Sequence, residues 1–147
     1  MSSYRPISIT CHVSKILEHQ VNKQLIQYLI DIDLITLDQS AYLKKHSSQT
    51  CLHRIVDDWL SNYDDSQMSG ICFLDIEQYF DCIDHTILIH KLKWFGIESA
   101  IEYHWFENYL LNRKQVVRYN SETSNAANVT IGVPQGSVLG PVLFLIQ

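Results

Sequence analysis

The chain has 147 residues, of which 46% are apolar and 18% charged, and this composition is typical of a folded globular domain and excludes wholesale disorder. Eleven basic against sixteen acidic residues give a net charge of −5. Proteins that coat nucleic acid are normally basic because they neutralise phosphates, so the chain by itself is a poor candidate for that role. No apolar run reaches the roughly 20 residues that span a bilayer, and no secretion signal is apparent. We therefore expect an intracellular protein, in the nucleus or cytoplasm, whose four cysteines are free buried thiols.

Two amphipathic helices are predicted in the first half of the chain. Apolar residues recur at helical spacing from Ser14 to Leu29, with Ser14 as the N-cap and a polar turn from Asp31 to Asp33 at the end. The apolar stripe of this helix is Leu17, Val21, Leu25, Tyr28 and Leu29. The second pattern is the clearest in the sequence, with apolar residues at i, i+3, i+4, i+7, i+8 and i+11 from Leu52 to Tyr63.

A short apolar run from Ile71 to Ile76 predicts a strand buried on both faces, and Asp75 interrupts it. An ionised carboxylate in a buried strand is costly unless a cation meets it. The alternative is that the strand has reached the surface at Asp75. From these residues alone the two interpretations carry similar weight.

The second half of the chain predicts two more helices and a hairpin. Asp84 and Thr86 can cap a helix that ends before Gly96, and a further helix runs from Glu98 to Asn112. Residues 115–119 and 127–131 are predicted to pair as strands, joined by a polar loop at 120–126. A turn-rich segment at 132–137 follows, and then an apolar segment to Ile146.

Three motifs stand in a distinctive order. Residues 4–8 read YRPIS, residues 73–85 read FLDIEQYFDCIDH, and residues 132–141 read GVPQGSVLGP, about 60 residues after the aspartate of the second motif. Together they resemble the reverse transcriptase domain of non-LTR (LINE-type) retrotransposons, over essentially the whole chain. Group II intron reverse transcriptases have a similar residue pattern at positions that correspond to 75–85, but their sequence after Pro-Gln-Gly differs from the one found here.

The resemblance implies RNA-directed DNA polymerisation with Mg²⁺ or Mn²⁺, on an RNA template with a DNA primer and deoxynucleotides. In this family two ions are held by aspartates from two adjacent palm strands. The first such aspartate corresponds to Asp75, and the metal-binding main-chain carbonyl corresponds to Ile76. The side chain of Asp75 is then expected in the cleft between the lobes, near Gln135.

Further positions correspond to the family's nucleotide-binding residues. Phe80 matches a bulky gate against the ribose 2′-hydroxyl, with a core phenylalanine as the alternative. Gln135 and Gly136 match the loop beside the incoming nucleotide, with a plain Pro-Gln-Gly turn as the alternative. Lys44 and Lys45 form a local basic cluster that is either a solvated loop or a contact to phosphate.

The sequence also departs from the family pattern. Leu43 stands where the family usually has an arginine that helps to neutralise the triphosphate, so Lys44 or Lys45 would have to replace that charge. Tyr79 replaces a small residue immediately before the gate, and Gln78 replaces a common lysine. The second catalytic motif, Tyr-x-Asp-Asp, is not found in these residues, and the chain ends in an apolar run at 143–146. We therefore expect a truncated domain that is inactive alone.

The implied architecture is an α+β right-hand polymerase fragment. Residues 1–70 would form a fingers-like region and residues 71–147 the N-terminal, incomplete part of the palm, with the thumb absent. One alternative is a domesticated, non-catalytic remnant that binds nucleic acid or a protein. Another is an unrelated metal-dependent hydrolase that uses Asp75, Asp81 and Asp84, although capping and turn roles suit Asp81, Asp84 and His85 better.

Overall fold

The computed structural model describes residues 7–36, 38–76 and 78–147, which form helices and short antiparallel strands. The helices are α1 (His12–Asp31), α2 (Ser48–Asp64), α3 (His85–Trp94), α4 (Ala100–Leu110) and α5 (Gly140–Ile146). The strands are β1 (Arg113–Gln115), β2 (Arg118–Tyr119), β3 (Glu122–Thr123) and β4 (Ala127–Val129). The predicted α+β class is therefore confirmed.

The chain divides into two compact units. The first contains the described residues up to Leu25 together with residues 78–147, and the second contains the described residues of the range 26–77. Helix α1 contributes its first part to one unit and its last turns to the other.

Helix α1 begins at His12, two residues earlier than predicted, so Ser14 lies inside the helix and the predicted N-cap is wrong. The Ser14 hydroxyl instead donates a hydrogen bond to Glu18 Oε1 at 3.2 Å, because residues four apart are neighbours on one helical face. The buried face of α1 contains Glu18, Leu25 and Leu29, whereas Leu17 of the predicted stripe is exposed.

The first unit is built around α3. Asp84 caps this helix as predicted, since its Oδ1 accepts hydrogen bonds from the backbone N–H groups of Thr86 and Ile87. Gly96, with a φ of +87°, follows the helix in the left-handed conformation that favours glycine. Helix α3 packs against α4 and α5. The fully buried side chains of this core are Ile83, Leu88, Leu92, Leu110, Leu139, Val142 and Leu143.

The predicted hairpin forms as two separate short ladders. Strand β1 pairs with β4, with Arg113 opposite Val129, and β2 pairs with β3, with Arg118 opposite Thr123. Ser124 separates the ladders because its hydroxyl accepts the N–H of Val117 at 2.9 Å, while its own N–H donates to the Val117 carbonyl at 2.9 Å. The predicted antiparallel orientation is therefore correct, but the predicted partners are wrong: of residues 115–119, only Gln115 pairs within 127–131, and Glu122–Thr123 of the predicted loop forms β3.

Helix α2 and the segment after it lie in the second unit. The helix is confirmed, and Ser47 caps it reciprocally with Thr50. Within the described residues no α2 side chain is buried, and all of its apolar stripe except the half-buried Ile55 is exposed.

Residues 71–76 are irregular and exposed, so the predicted buried strand is wrong. A strand needs a neighbour that takes up its backbone hydrogen bonds, and no strand of the described ranges pairs with this segment.

Two further expectations concern the environment of the protein. Within the described ranges, no helix combines the length and the apolar character needed to cross a membrane. All four cysteines are free, as predicted, but Cys11, Cys72 and Cys82 are exposed, so their predicted burial is wrong.

Candidate functional site

Residues 132–137, here called the glutamine loop, are bonded to a turn at residues 79–85. The Gly132 N–H donates to the Ile83 carbonyl at 2.8 Å, and the Val133 N–H donates to the Phe80 carbonyl at 2.9 Å. The buried imidazole of His85 lies with Nε2 2.7 Å from the Gly132 carbonyl oxygen. These contacts join the second and third sequence motifs, which lie about 50 residues apart.

Gly132 allows this close approach. Its φ is +83°, and a Cβ atom at this position would lie 3.0 Å from the backbone of Asp81 and from the Phe80 carbonyl oxygen. A side chain would therefore be strained both by the backbone conformation and by the space available. The glycine is a structural requirement of the contact between loop and turn.

Gln135 is held at both its side chain and its backbone. Its Nε2 donates to both carboxylate oxygens of Asp81, each at 2.9 Å. Its carbonyl oxygen accepts the Ser8 N–H at 2.8 Å, so the first motif also contributes to the loop. Gly136 follows with a φ of +94° and is exposed. Asp81, which the sequence assigned to a turn, lies in a 3₁₀ turn at Tyr79–Asp81 and is also the partner of Gln135.

Phe80 is partly buried, and its ring contacts an aromatic ring of α5. The Phe80 and Phe144 ring centroids are 5.1 Å apart, and Tyr79 meets Phe144 edge-on at 4.4 Å. The core alternative for Phe80 thus has a packing partner, while its carbonyl group is bonded to the glutamine loop. The structure therefore bonds the backbone of Phe80 to the loop that contains Gln135 and Gly136.

A buried carboxylate binds the backbone immediately after the glutamine loop. Glu18 is only 2% exposed, and its Oε2 accepts the Val138 N–H at 2.8 Å. The Tyr109 hydroxyl lies 3.4 Å from the same oxygen. The sequence pattern did not predict this role for Glu18, because the apolar stripe passes through its neighbour Leu17. The signal was available, since Glu18 lies seven residues before Leu25 on the same helical face.

Tyr109 lies at the edge of this polar cluster. Its ring stacks on Trp105 with an interplanar angle of 9°, and the Arg113 guanidinium lies 5.1 Å from its centroid. The pKa of the Tyr109 hydroxyl is raised, chiefly because burial disfavours the phenolate. A hydrogen bond with Ser137 opposes this rise in pKa, and the negative charge of Glu18 adds to it.

Asp75 and Ile76 lie in the exposed segment at 71–76 of the second unit, whereas Gln135 belongs to the first unit. The predicted proximity of Asp75 to Gln135 therefore stays a prediction. A carboxylate and a main-chain carbonyl are the hard oxygen ligands that Mg²⁺ prefers. Across the described ranges, no group of three His, Cys, Asp or Glu side chains could hold a metal ion. The donor set therefore fits an ion that brings phosphate and water ligands with it, but it does not form a metal site of its own.

Lys44 and Lys45 occupy an exposed turn before α2, and Lys45 has a φ of +64°. Neither lysine forms an ion pair within residues 7–36, 38–76 and 78–147. Asp81 and Asp84, which the hydrolase alternative used, instead bind Gln135 and cap α3.

Comparison with known proteins gives a consistent family. The model of the family described as reverse transcriptase (RNA-dependent DNA polymerase) matches residues 1–147. The probable RNA-directed DNA polymerase from transposon X-element of Drosophila melanogaster is 34% identical over 97% of this chain. The RNA-directed DNA polymerase from mobile element jockey of Drosophila funebris is 32% identical over 99% of it.

The chain spans 16% of the length of each of these relatives. No solved structure matches the chain significantly. The family match over the full 147 residues confirms the resemblance carried by the three motifs. The chain belongs to the reverse transcriptase family, in the group encoded by LINE-type transposons.

Proposed function

We propose that this chain supplies the deoxynucleotide-binding part of an RNA-directed DNA polymerase that extends a DNA primer on an RNA template. The observation that carries the proposal is the bonding of the glutamine loop, which contains Gln135 and Gly136, to the Phe80 carbonyl and the Asp81 side chain. We assign residues 1–70 to a fingers-like region and residues 71–147 to the N-terminal part of the palm.

Within this assembly, Phe80 acts as the gate against a ribose 2′-hydroxyl. Its contact with Phe144 supports this role, because a ring held on one side by α5 cannot swing freely away from a ligand on the other. Gly136 is exposed and lacks a side chain, so a nucleotide can approach its backbone closely.

Asp75 and the Ile76 carbonyl would hold Mg²⁺ or Mn²⁺ together with the triphosphate. Magnesium is commonly bound through one or two carboxylates plus substrate phosphates, so a single aspartate is sufficient to bind one ion together with the triphosphate. The bound ion would neutralise phosphate charge and promote phosphoryl transfer. Lys44 and Lys45 are exposed and would place positive charge near the triphosphate in place of the arginine that Leu43 removes.

A deoxynucleotide titration of the 147-residue chain tests the proposal directly. We expect deoxythymidine triphosphate with Mn²⁺ to bind and to broaden NMR signals of the glutamine loop, and we expect Asp75→Asn to weaken binding. Asp57→Asn removes the same charge from an exposed position on α2 and should leave binding unchanged. Equal binding by the parent chain and Asp75→Asn would contradict the metal role of Asp75.

We further propose that a polypeptide of these 147 residues alone does not polymerise DNA. Two-metal transfer uses carboxylates from two strands, and these residues supply only the first of them. Primer extension on an RNA template with Mg²⁺ and deoxynucleotides should therefore give no product, and robust incorporation would contradict this proposal.

A non-catalytic binding role is the second candidate. The exposed apolar residues of α2 favour binding to a protein. The net charge of −5 disfavours binding to nucleic acid, because phosphates repel a negatively charged chain. Filter binding of single-stranded RNA across a salt series distinguishes nucleic-acid binding from protein binding. Binding through phosphate contacts weakens steeply as salt rises, so binding without salt dependence would exclude such contacts.

A further inference from the structure

We infer that Asp81 is a positioning residue that sets the orientation of the Gln135 amide for nucleotide recognition, an inference that rests on the proposed function. The observation is the pair of 2.9 Å hydrogen bonds from Gln135 Nε2 to the two oxygens of Asp81. Both residues belong to the same compact unit and are partly buried.

The chemistry of the two groups determines which end of the amide faces Asp81. An ionised carboxylate can only accept hydrogen bonds, whereas an amide has a donating NH₂ end and an accepting carbonyl end. The NH₂ end must therefore face Asp81. The opposite orientation would place the Gln135 carbonyl oxygen against a negatively charged carboxylate.

The remaining end of the amide then becomes the recognition element. No described residue donates a hydrogen bond to Gln135 Oε1, so this oxygen is left as an acceptor. An acceptor binds a hydroxyl or amino donor, and it does not bind a phosphate oxygen. The Gln135 Oε1 atom should therefore contact a hydroxyl or amino group of the sugar or base of a nucleotide, and not a triphosphate oxygen.

The backbone of the loop removes the other freedom of Gln135. Its carbonyl oxygen is bound to the Ser8 N–H, and the preceding Val133 N–H is bound to the Phe80 carbonyl. With the backbone fixed, the amide can turn only about its side-chain torsions, and Asp81 restrains these. Preorganisation of this kind lowers the entropy cost of binding a ligand.

The test is a double-mutant cycle on nucleotide binding by the 147-residue chain. Asp81→Asn has the same shape but lets the Gln135 amide bind in either orientation, and Gln135→Ala removes the amide. Affinity for deoxythymidine triphosphate with Mg²⁺ is measured by NMR titration. We expect each single variant to lose about fivefold in affinity, the worth of one hydrogen bond, and the double variant to lose no more than Gln135→Ala.

Asp84→Asn is the matched control. It removes one negative charge three residues away, and an asparagine retains the ability to cap α3. The control should bind nucleotide as the parent chain does. An equal loss in Asp84→Asn, or a further loss on adding Asp81→Asn to Gln135→Ala, would overturn the inference, because Asp81 would then act through its charge or directly on the ligand.

A second measurement separates this inference from the proposed function. In the nucleotide-free chain, the side-chain NH₂ signals of Gln135 should shift in Asp81→Asn and stay in place in Asp84→Asn. If the parent chain binds no nucleotide but these signals shift, the proposed function fails while the positioning of Gln135 stands. If the signals are the same in Asp81→Asn and the parent, the inference is wrong.

Discussion

Replacing Glu18 tests whether one buried carboxylate secures the backbone that follows the glutamine loop. Glu18 lies on α1, is 2% exposed, and accepts hydrogen bonds from the Val138 N–H at 2.8 Å and the Ser14 hydroxyl at 3.2 Å. The Tyr109 hydroxyl and the Leu139 N–H are both 3.4 Å away and contribute less. Glu18→Ala removes all of these contacts and leaves the Val138 N–H without its acceptor.

The expected cost follows from the two short hydrogen bonds. A hydrogen bond to a charged group contributes about 1.5–3 kcal/mol, and burial keeps Glu18 unscreened by solvent. The Ser14 hydroxyl can rotate to another acceptor after the substitution, so its share is partly recovered. We therefore expect Glu18→Ala to lower the free energy of unfolding by about 3 kcal/mol, which is a large part of the stability of an ordinary domain.

Glu18→Gln should be much milder. The glutamine carbonyl oxygen can accept the Val138 N–H, and its NH₂ group can donate to the Ser14 hydroxyl, because a hydroxyl both donates and accepts. Only the charge is lost, so we expect a cost of about 1 kcal/mol. Gln20→Ala, at an exposed position on the same helix, should change the free energy of unfolding by less than about 0.5 kcal/mol.

Urea unfolding followed by far-UV circular dichroism measures all three variants at pH 7. The midpoint should fall most for Glu18→Ala, with an unchanged dependence on urea concentration. Hydrogen exchange of the Val138 amide should also accelerate in Glu18→Ala. A cost below about 1 kcal/mol for Glu18→Ala, or equal costs for the alanine and glutamine variants, would refute the argument that the carboxylate holds the loop.

Three further substitutions test other parts of the first unit. Because burial raises the pKa of Tyr109, the folded chain retains the hydroxyl proton to higher pH than the unfolded chain does. The free energy of unfolding should therefore fall as pH rises above about 10. Thermal melts at alkaline pH should show a smaller fall for Tyr109→Phe. Gly132→Ala should cost about 2 kcal/mol or more in urea unfolding, since its Cβ would lie 3.0 Å from the Asp81 backbone at a φ of +83°, and a cost below about 0.5 kcal/mol would contradict the close contact. Asp84→Ala should cost about 1 kcal/mol through loss of the α3 cap, whereas Asp84→Asn should cost little.

Local sequence patterns were sufficient where neighbouring residues determine the structure. The cap at Asp84, the glycine at 96 and the periodicity of α2 predicted helices that the structure contains, because capping and helical spacing act within a few residues. The three motifs were likewise sufficient for the family, since residue type and order along the chain carry that information.

Contacts distant in sequence were decided by the tertiary structure. The apolar run at 71–76 predicts a strand, but a strand forms only with a partner, and residue type within the run cannot supply one. The burial of Glu18 depends on Val138 and Tyr109, which lie about 90 residues or more along the chain.

At the candidate site, too, the sequence predicted residues that belong to a motif but not the contacts between residues distant along the chain. Gln135 and Gly136 stand out by sequence because they lie in a recognisable motif. The role of Asp81 becomes visible only when folding brings it to 2.9 Å from Gln135, 54 residues away. The sequence by itself determined which groups are available for nucleotide binding, and the tertiary structure decided which group restrains which, because a hydrogen bond depends on distance in space and not on separation along the chain.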